Sequence, residues 1–473
     1  MNRNILSANN IKKTLRYLQK NGIRHTYYAA KERVEEEKKT VYYYEEPEDG
    51  QLELQRTDSR KFPYCFSIVV PAYETKETFL CDLIDSVQKQ SYENWELIIA
   101  DASESDRVEK VVLPYQEKDK RLHYLRLQEN KGIAENTNAG IEKAVGDYIA
   151  LLDHDDVLAP DALYEMAAAI NRAEKTGKTP VMIYSDEDKF EENNLTSEKK
   201  LHYIAPNRKN EFNLDLSLSN NYICHLMMIE SGLFKTLKLR KEYDGAQDYD
   251  CVLRVIGHLL SAGKAKDVKE SIIHFPKVLY HWRCHADSTA DNTASKMYAY
   301  EAGKKALENF CKSQGWDMQV THSLHLGFYQ ITYYPDMFTV RPDVGVVGGR
   351  ILDRHNKIAS GIYNESGDRL YLGVHKEYSG GATHRAALLQ DCAAIDIRCM
   401  RIRKELYPLF KEITGVSYKE TGEQNLADVS MISCDETGYR KLSMEFCRAA
   451  AGMGYLTVWN PQISIKLKGE LIK

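Results

Sequence analysis

What this sequence lacks narrows it first. Among its 473 residues no apolar run approaches the roughly 18–20 residues that span a bilayer, so no transmembrane helix is expected. The opening Met1-Asn2-Arg3-Asn4-Ile5-Leu6 has no long apolar core of the kind a secretory signal carries. Ten cysteines are present without a single CxxC spacing, which points to reduced thiols and a cytoplasmic protein. A net charge of −5 supplies no basic field, so nucleic acid is not expected as a partner. No GxGxxG follows the first apolar strand and no GxxxxGK[ST] occurs anywhere, which removes a dinucleotide-binding loop and a P-loop. His281, Cys284 and His285 form one cluster without a second ligand pair, so they read as structural rather than as zinc ligands.

What is present is an ordinary globular balance, 28% charged and 43% hydrophobic, in a chain long enough for two or three cores. Residues 1–62 form a helical, charged N-terminal segment. Ile5, Ile11, Leu15, Leu18 and Ile23 recur at near-helical spacing and predict a short amphipathic helix. Its Lys12, Lys13, Arg16, Lys20 and Arg24 suit either packing on the main domain or peripheral contact with an anionic membrane, at the inner face of the plasma membrane. Glu35 to Arg60 is dense in charge and reads as a linker or lid.

At Phe66 the texture changes. Ser67-Ile68-Val69-Val70-Pro71, Trp95 to Asp101, Leu122 to Leu127 and Asp147 to Leu152 are strand-like runs, with helical patterns over Thr78–Gln90 and Asn136–Ala144. Alternating strands and helices predict a doubly wound, mostly parallel α/β sheet. Ligands bind such sheets at the carboxyl ends of their strands, which singles out Asp101 and the cluster Asp153-His154-Asp155-Asp156. Three carboxylates within four residues repel one another unless a cation lies among them. Mg²⁺ or Mn²⁺ with the phosphates of a diphosphate substrate answers that repulsion. The same residues also suit a solvated loop, with Asp155 capping a helix that begins near Pro160. A third possibility is the Asp-x-Asp-x-Val nucleophile motif of haloacid-dehalogenase-like phosphatases. That motif lies on a first strand, whereas at least three strand-like segments precede this one, and Gln247-Asp248-Tyr249-Asp250 follows no apolar run.

Taken in order, these segments resemble the family 2 glycosyltransferases, inverting enzymes of the GT-A fold, over residues 66 to about 320. The resemblance implies a 63–330 transferase domain with a nucleotide-sugar site at Pro71, Tyr73, Asp101, Asn130, Gly132, Asn138, Asp153 and Arg283. It implies Mn²⁺ or Mg²⁺ on Asp153 and Asp155, with His281 as a further ligand, and an acceptor side of Asp186, Asp188 and Gln247. For Asp186 and Asp188 a purely structural role in the loop stays open, as does a satisfied strand-end role for His281. Asp248 stands where the family carries its catalytic base, and a place in the first turn of a helix is compatible with that role. The implied partners are a UDP- or dTDP-sugar donor and a glycan or lipid-linked acceptor in polysaccharide synthesis. A glycan-binding scaffold that keeps the fold without turnover is the other class of reading.

Past a helical stretch over Tyr298–Phe310, Pro342 to Leu352 and Glu445 to Tyr455 resemble the middle and late parts of a second such domain. The two nucleotide-binding strands and a second Asp-x-Asp are missing. Residues 331–473 are therefore expected to form a truncated, non-catalytic α/β module.

Overall fold

The computed structural model describes residues 8–37, 42–195, 201–263, 265–285 and 297–466. Ile5 lies outside them. The chain divides into two compact units, one of residues 1–41, 214–220 and 316–473, the other of 42–213 and 221–315. These divisions fall at 41/42 and 315/316, so 42–62 fold with the strands that begin at Phe66 and 316–330 with the C-terminal region.

Helix α1 (Ala8–Glu37) opens the first unit and kinks at Gly22, whose φ is 78°. Leu15 and Ile23 are exposed on it. Its attachment is polar: Lys20 and Asn21 donate to the Ser323 and Leu324 carbonyls, and Arg24 pairs with Glu377.

The second unit begins with an extended run and helix α2 (Asp49–Ser59), where a linker or lid is expected. Burial of Leu52, Gln55 and Ser59 fixes that helix. Next come β1 (Phe66–Ala72), α3 (Glu77–Gln88), β2 (Trp95–Asp101), α4 (Arg107–Lys118), β3 (Leu122–Arg126), α5 (Ile133–Lys143) and β4 (Tyr148–Leu151). After them lie β5 (Val157–Leu158), α6 (Ala162–Lys175), β6 (Met182–Leu195) and β7 (Leu201–Asn207). Helix α7 (Leu214–Ser217) belongs to the first unit. The second unit then resumes with β8 (Met227–Glu230), α8 (Ser231–Leu237), α9 (Gln247–Ala262), α10 (Ala265–Ser271), β9 (Ile272–Cys284) and α11 (Met297–Ser313).

The nine-stranded sheet runs β3-β2-β1-β4-β8-β6-β9-β5, with β7 on β6. Strands β1 to β4 are mutually parallel, and antiparallel β8 between β4 and β6 keeps β6 and its parallel neighbour β9 in the same direction. The sheet is therefore mostly parallel, as expected. Its central strands are mostly apolar because helices cover both faces: every residue of β2 is buried, Glu96 and Asp101 included, and Phe79, Leu80, Leu83, Ile84 and Val87 give α3 its packed face.

In the first unit, β10 (Met318–His322) and β11 (Tyr329–Tyr333) form a hairpin, followed by α12 (Met337–Val340). A five-stranded sheet joins β12 (Val344–Leu352), β13 (Ile358–Ser360), β15 (Gln390–Asp391), β17 (Met400–Ile402) and β20 (Leu456–Lys466). Short pairs β14 (Ile362–Tyr363) with β16 (Ala394–Ile395) and β18 (Glu420–Thr421) with β19 (Leu426–Ala427) flank it. Helices α13 (Tyr407–Thr414) and α14 (Glu436–Gly452) complete the unit, with Phe410, Phe446 and Trp459 in its core. No helix among the described residues is long and apolar enough to cross a membrane.

Candidate active site

β4 ends at Leu151, and the chain turns through Asp153–Asp156 into β5. Asp156 points inward. It accepts the Tyr280 hydroxyl at 2.5 Å and the Arg283 backbone N–H at 2.8 Å, so it locks the turn onto β9. Desolvation first, then Asp155 and Asp153, push its carboxyl well above the usual range. Asp155 does not cap a helix: α6 starts at Ala162, and the Asp155 carboxylate instead meets His285 Nε2 at 2.9 Å. Asp153 keeps 42% of its side chain accessible, with His225 Nε2 at 3.7 Å. Its carboxyl is raised by desolvation, the low-dielectric wall of a cleft rather than a closed core, and further by Asp155 and Asp248, against the pull of His225.

Asp248 comes within electrostatic reach of Asp153 from the first turn of α9. Asn221 Nδ2 donates to its Oδ2 at 2.7 Å and Cys224 Sγ at 2.8 Å. Two residues on, Asp250 serves the fold, held by Arg240 and Arg254. His225, which stacks on Tyr280 with ring centroids 4.6 Å apart, joins the two acids. Asn221, Cys224 and His225 carry no role in the sequence reading. Nothing local in Asn220–Leu226 says that its side chains turn toward Asp248.

The expected nucleotide-sugar residues separate into two kinds. Pro71 and the exposed Tyr73 sit at the end of β1. Asp101 ends β2 fully buried, accepting from Ser103 N–H, the Tyr124 hydroxyl at 2.7 Å and Arg126 at 3.1 Å. Asn130 shapes the loop before α5 by accepting from the Gly132 N–H and the Asn136 amide. Gly132 has φ 100°, and a Cβ there would lie 2.4 Å from Asp244 Oδ2, so only glycine fits. Asn138 is spent on the fold: its amide donates to the Leu239 carbonyl and accepts the Leu239 N–H, both at 2.8 Å. Arg283 donates from Nε to the Asp155 carbonyl at 2.6 Å and from Nη2 to Asp82 at 2.9 Å, sandwiched by Phe79 and Phe190.

The structure places three other expected residues elsewhere. His281 lies opposite Asp188 in the β6–β9 register and bonds it through Nδ1 at 2.5 Å, so it faces Asp188 and two tyrosines rather than Asp153 and Asp155. Asp188 also accepts the Tyr42 hydroxyl. Asp186 is buried and accepts from His274, the Lys209 N–H and Arg208; burial works to raise its carboxyl, but those bonds bring it below the usual range. On a strand, residues two apart share a face, and here that face is the interior. Gln247 accepts the Gly245 N–H and stays half-buried at the start of α9. Among the described residues no group of three or more His, Cys, Asp or Glu side chains could hold a metal ion by itself.

Residues 67–237 match the family model "Glycosyl transferase family 2". The chain is 38% identical over 244 residues to uncharacterized protein y4gI of Sinorhizobium fredii (strain NBRC 101917 / NGR234), covering 51% of this chain and 25% of that one. It is 29% identical over 257 residues to the O-antigen biosynthesis protein RfbC of Myxococcus xanthus, covering 54% of this chain and 18% of that one. A putative teichuronic acid biosynthesis glycosyltransferase, TuaG of Bacillus subtilis (strain 168), is 36% identical over 97 residues, 20% of this chain and 38% of that one. The chain thus spans a quarter or less of the first two relatives' own length. The matched segment contains β1, β2 and the acidic turn after β4, and it carries the likeness to glycosyl transferase family 2.

Proposed function

We propose that this chain transfers a sugar, with inversion, from a nucleotide-diphosphate sugar to a glycan or lipid-linked acceptor in the synthesis of a cell-surface polysaccharide. One observation carries the reading: Asp153 and Asp248, 95 residues apart in sequence numbering, interact electrostatically, and among the described residues neither has a lysine or arginine at ion-pair distance. The names of RfbC and TuaG, both tied to surface polysaccharides, support the acceptor class.

Inverting transfer is a single displacement at the anomeric carbon, so the acceptor hydroxyl must lose its proton as it attacks. Asp248 is the base. Asn221 and Cys224 hold its Oδ2 and orient the carboxylate, and the proton goes to Oδ1. Asp153 and Asp155 are the residues that would hold Mn²⁺ or Mg²⁺. A carboxyl raised by its neighbour fits a hard cation, and such ions take one or two carboxylates and complete their shell with substrate phosphates. When bound, the ion supplies Lewis-acid stabilisation of the departing diphosphate. His281 has no place in that shell; His285, on Asp155, is the nearer histidine. Pro71, Tyr73 and the Asn130–Gly132 loop line the nucleotide side, with Asp101 buried behind them. Turnover belongs to the 63–330 domain and none to 331–473.

The test is thermal protection. UDP- or dTDP-sugars should raise the melting temperature in the presence of Mn²⁺, by the mass-action stabilisation that any ligand of the native state provides. Asp153→Ala/Asp155→Ala protein should lose that protection. A double variant that still transfers sugar would move the active site elsewhere.

A further inference from the structure

A second cleft, of about 1090 Å³, opens along α3 in the transferase unit. The segment from Tyr44 to Gln51, the outer side of α3 and the β5–β9 pair enclose it. None of Asp101, Asp153, Asp155 or Asp248 lines it. Because α3 runs back from the carboxyl end of β1, a cleft that follows it from Asp82 to Lys89 leads away from the strand ends that hold the acidic turn.

Its deepest wall is an aromatic triad. The ring centroids of Tyr44, Tyr203 and His281 lie 4.4–4.8 Å from one another. His281 is only 2% exposed, and its Nδ1 is committed to Asp188. A carboxylate at Nδ1 draws the proton to that nitrogen, which leaves Nε2 as an acceptor. Nε2 has no partner among the described residues, and neither does the buried hydroxyl of Tyr44. Buried polar atoms are almost always bonded, so an acceptor and a hydroxyl left unbonded in one wall call for a ligand with O–H groups.

The rim fixes the charge of that ligand. Glu46, Glu48 and Asp85 line it, while two of its cations are already engaged, Lys277 by Asp161 and Glu165 and Arg283 by Asp82. Excess negative charge repels phosphates and nucleotides. Val157, Leu158 and Pro160 add an apolar wall for C–H faces. An uncharged, polyhydroxylated chain satisfies all three features.

We propose that this cleft binds an uncharged stretch of a glycan chain at a site beside the transfer centre, which it borders at Arg283. The choice of a glycan rests on the transferase reading above; the cleft and its unbonded polar atoms do not. Reaching His281 requires the Tyr44 or Tyr203 ring to shift.

The experiment uses the full chain with cellohexaose, chitohexaose and maltohexaose as probes, each titrated with UDP and Mn²⁺ present, by saturation-transfer NMR. At least one hexaose should bind. Glu46→Ala/Gln51→Ala, at exposed positions, should weaken it by about tenfold, the scale of lost hydrogen bonds, and leave protection by UDP as in the wild type. Tyr203→Ala should weaken it as well. Binding that is unchanged in the rim variant, or no binding by any hexaose while UDP still protects, overturns the proposal. If UDP gives no protection but hexaose binding still falls in the rim variant, the cleft stands and the transferase reading fails.

Discussion

Two acidic sites of this chain, one in each unit, are treated in opposite ways. In the transferase unit Asp153, Asp155 and Asp248 meet histidines, an amide and a thiol, and the Asp153 carboxyl is held up by desolvation and by the other two acids. In the C-terminal region Asp396 is fully buried yet lowered: burial alone would raise it, but Arg398 bonds it through two nitrogens, and Ser360 adds a third bond. Arg398 continues to Glu436, which closes the network. Charge compensated inside the protein is a structural device. Among the described residues Asp153 and Asp248 have no lysine or arginine at ion-pair distance, and that difference is what the proposed transfer reaction would use.

The contrast breaks most visibly at Asp248. Asp248→Asn keeps the shape and the Asn221 and Cys224 neighbours but cannot accept a proton. Sugar transfer should fall by about 10²–10⁴-fold, the usual weight of a general base, with donor protection retained. Equal loss of donor binding would make Asp248 a binding residue instead. The complementary change is Arg398→Met, which strands Asp396 without its cation. Removing one partner of a buried pair costs about 3–5 kcal/mol, so urea unfolding should show the C-terminal region lost early while UDP-sugar binding persists in the remainder.

Acid should separate the units in the same direction. His325 and His384 stack with ring centroids 3.7 Å apart, and desolvation lowers them to about 4 and about 3. Unfolded histidine titrates near 6.5. Between that value and about 4 the unfolded chain binds protons that the folded pair refuses, so stability is full above pH 6.5 and drains as pH falls. Hydrogen exchange at pH 5 should therefore accelerate around residues 323–328 and 375–384 before it does in β1–β4. His384→Phe should flatten that dependence, and an unchanged pH slope would rule the pair out.

How much of this was legible depended on range. β1, β2 and β4 could be read directly, because strands covered on both faces are unbroken apolar runs, and α3 because five core residues repeat at helical spacing. Helix α2 was hidden, since its buried face is one leucine, a glutamine and a serine among charges. Helix α4 was obscured by Pro114 and by a core face of only Val108 and Val112. The destination of His281 could not be read at all: it depends on a β6–β9 register between segments some 90 residues apart, which sets it against Asp188. The same register makes Asp186 and Asp188 interior groups, where the motif alone suggested an acceptor surface. The place of Asp153 and Asp155 after an apolar strand could be read from the sequence, and Asp248 was singled out by the resemblance; the structure brings Asp153 and Asp248 within electrostatic reach.

The smallest effect tests the loop that frames the donor side. Gly132 precedes α5 with φ 100°, and the Asp244 carboxylate occupies the space a side chain would need, accepting the Ala134 N–H at 3.2 Å. Gly132→Ala adds two costs, a left-handed backbone and a displaced carboxylate. A non-glycine residue in such a region costs about 1–3 kcal/mol, so the melting temperature should drop modestly. The decisive readout is the split between stability and affinity. If the loop frames the nucleotide, UDP protection should weaken by more than the fall in melting temperature explains, while an Asp244→Ala partner substitution, which reopens the space, restores part of it. A variant that loses stability but binds UDP as tightly as the wild type would make Gly132 a folding residue and leave the nucleotide to Asp101 and the end of β1.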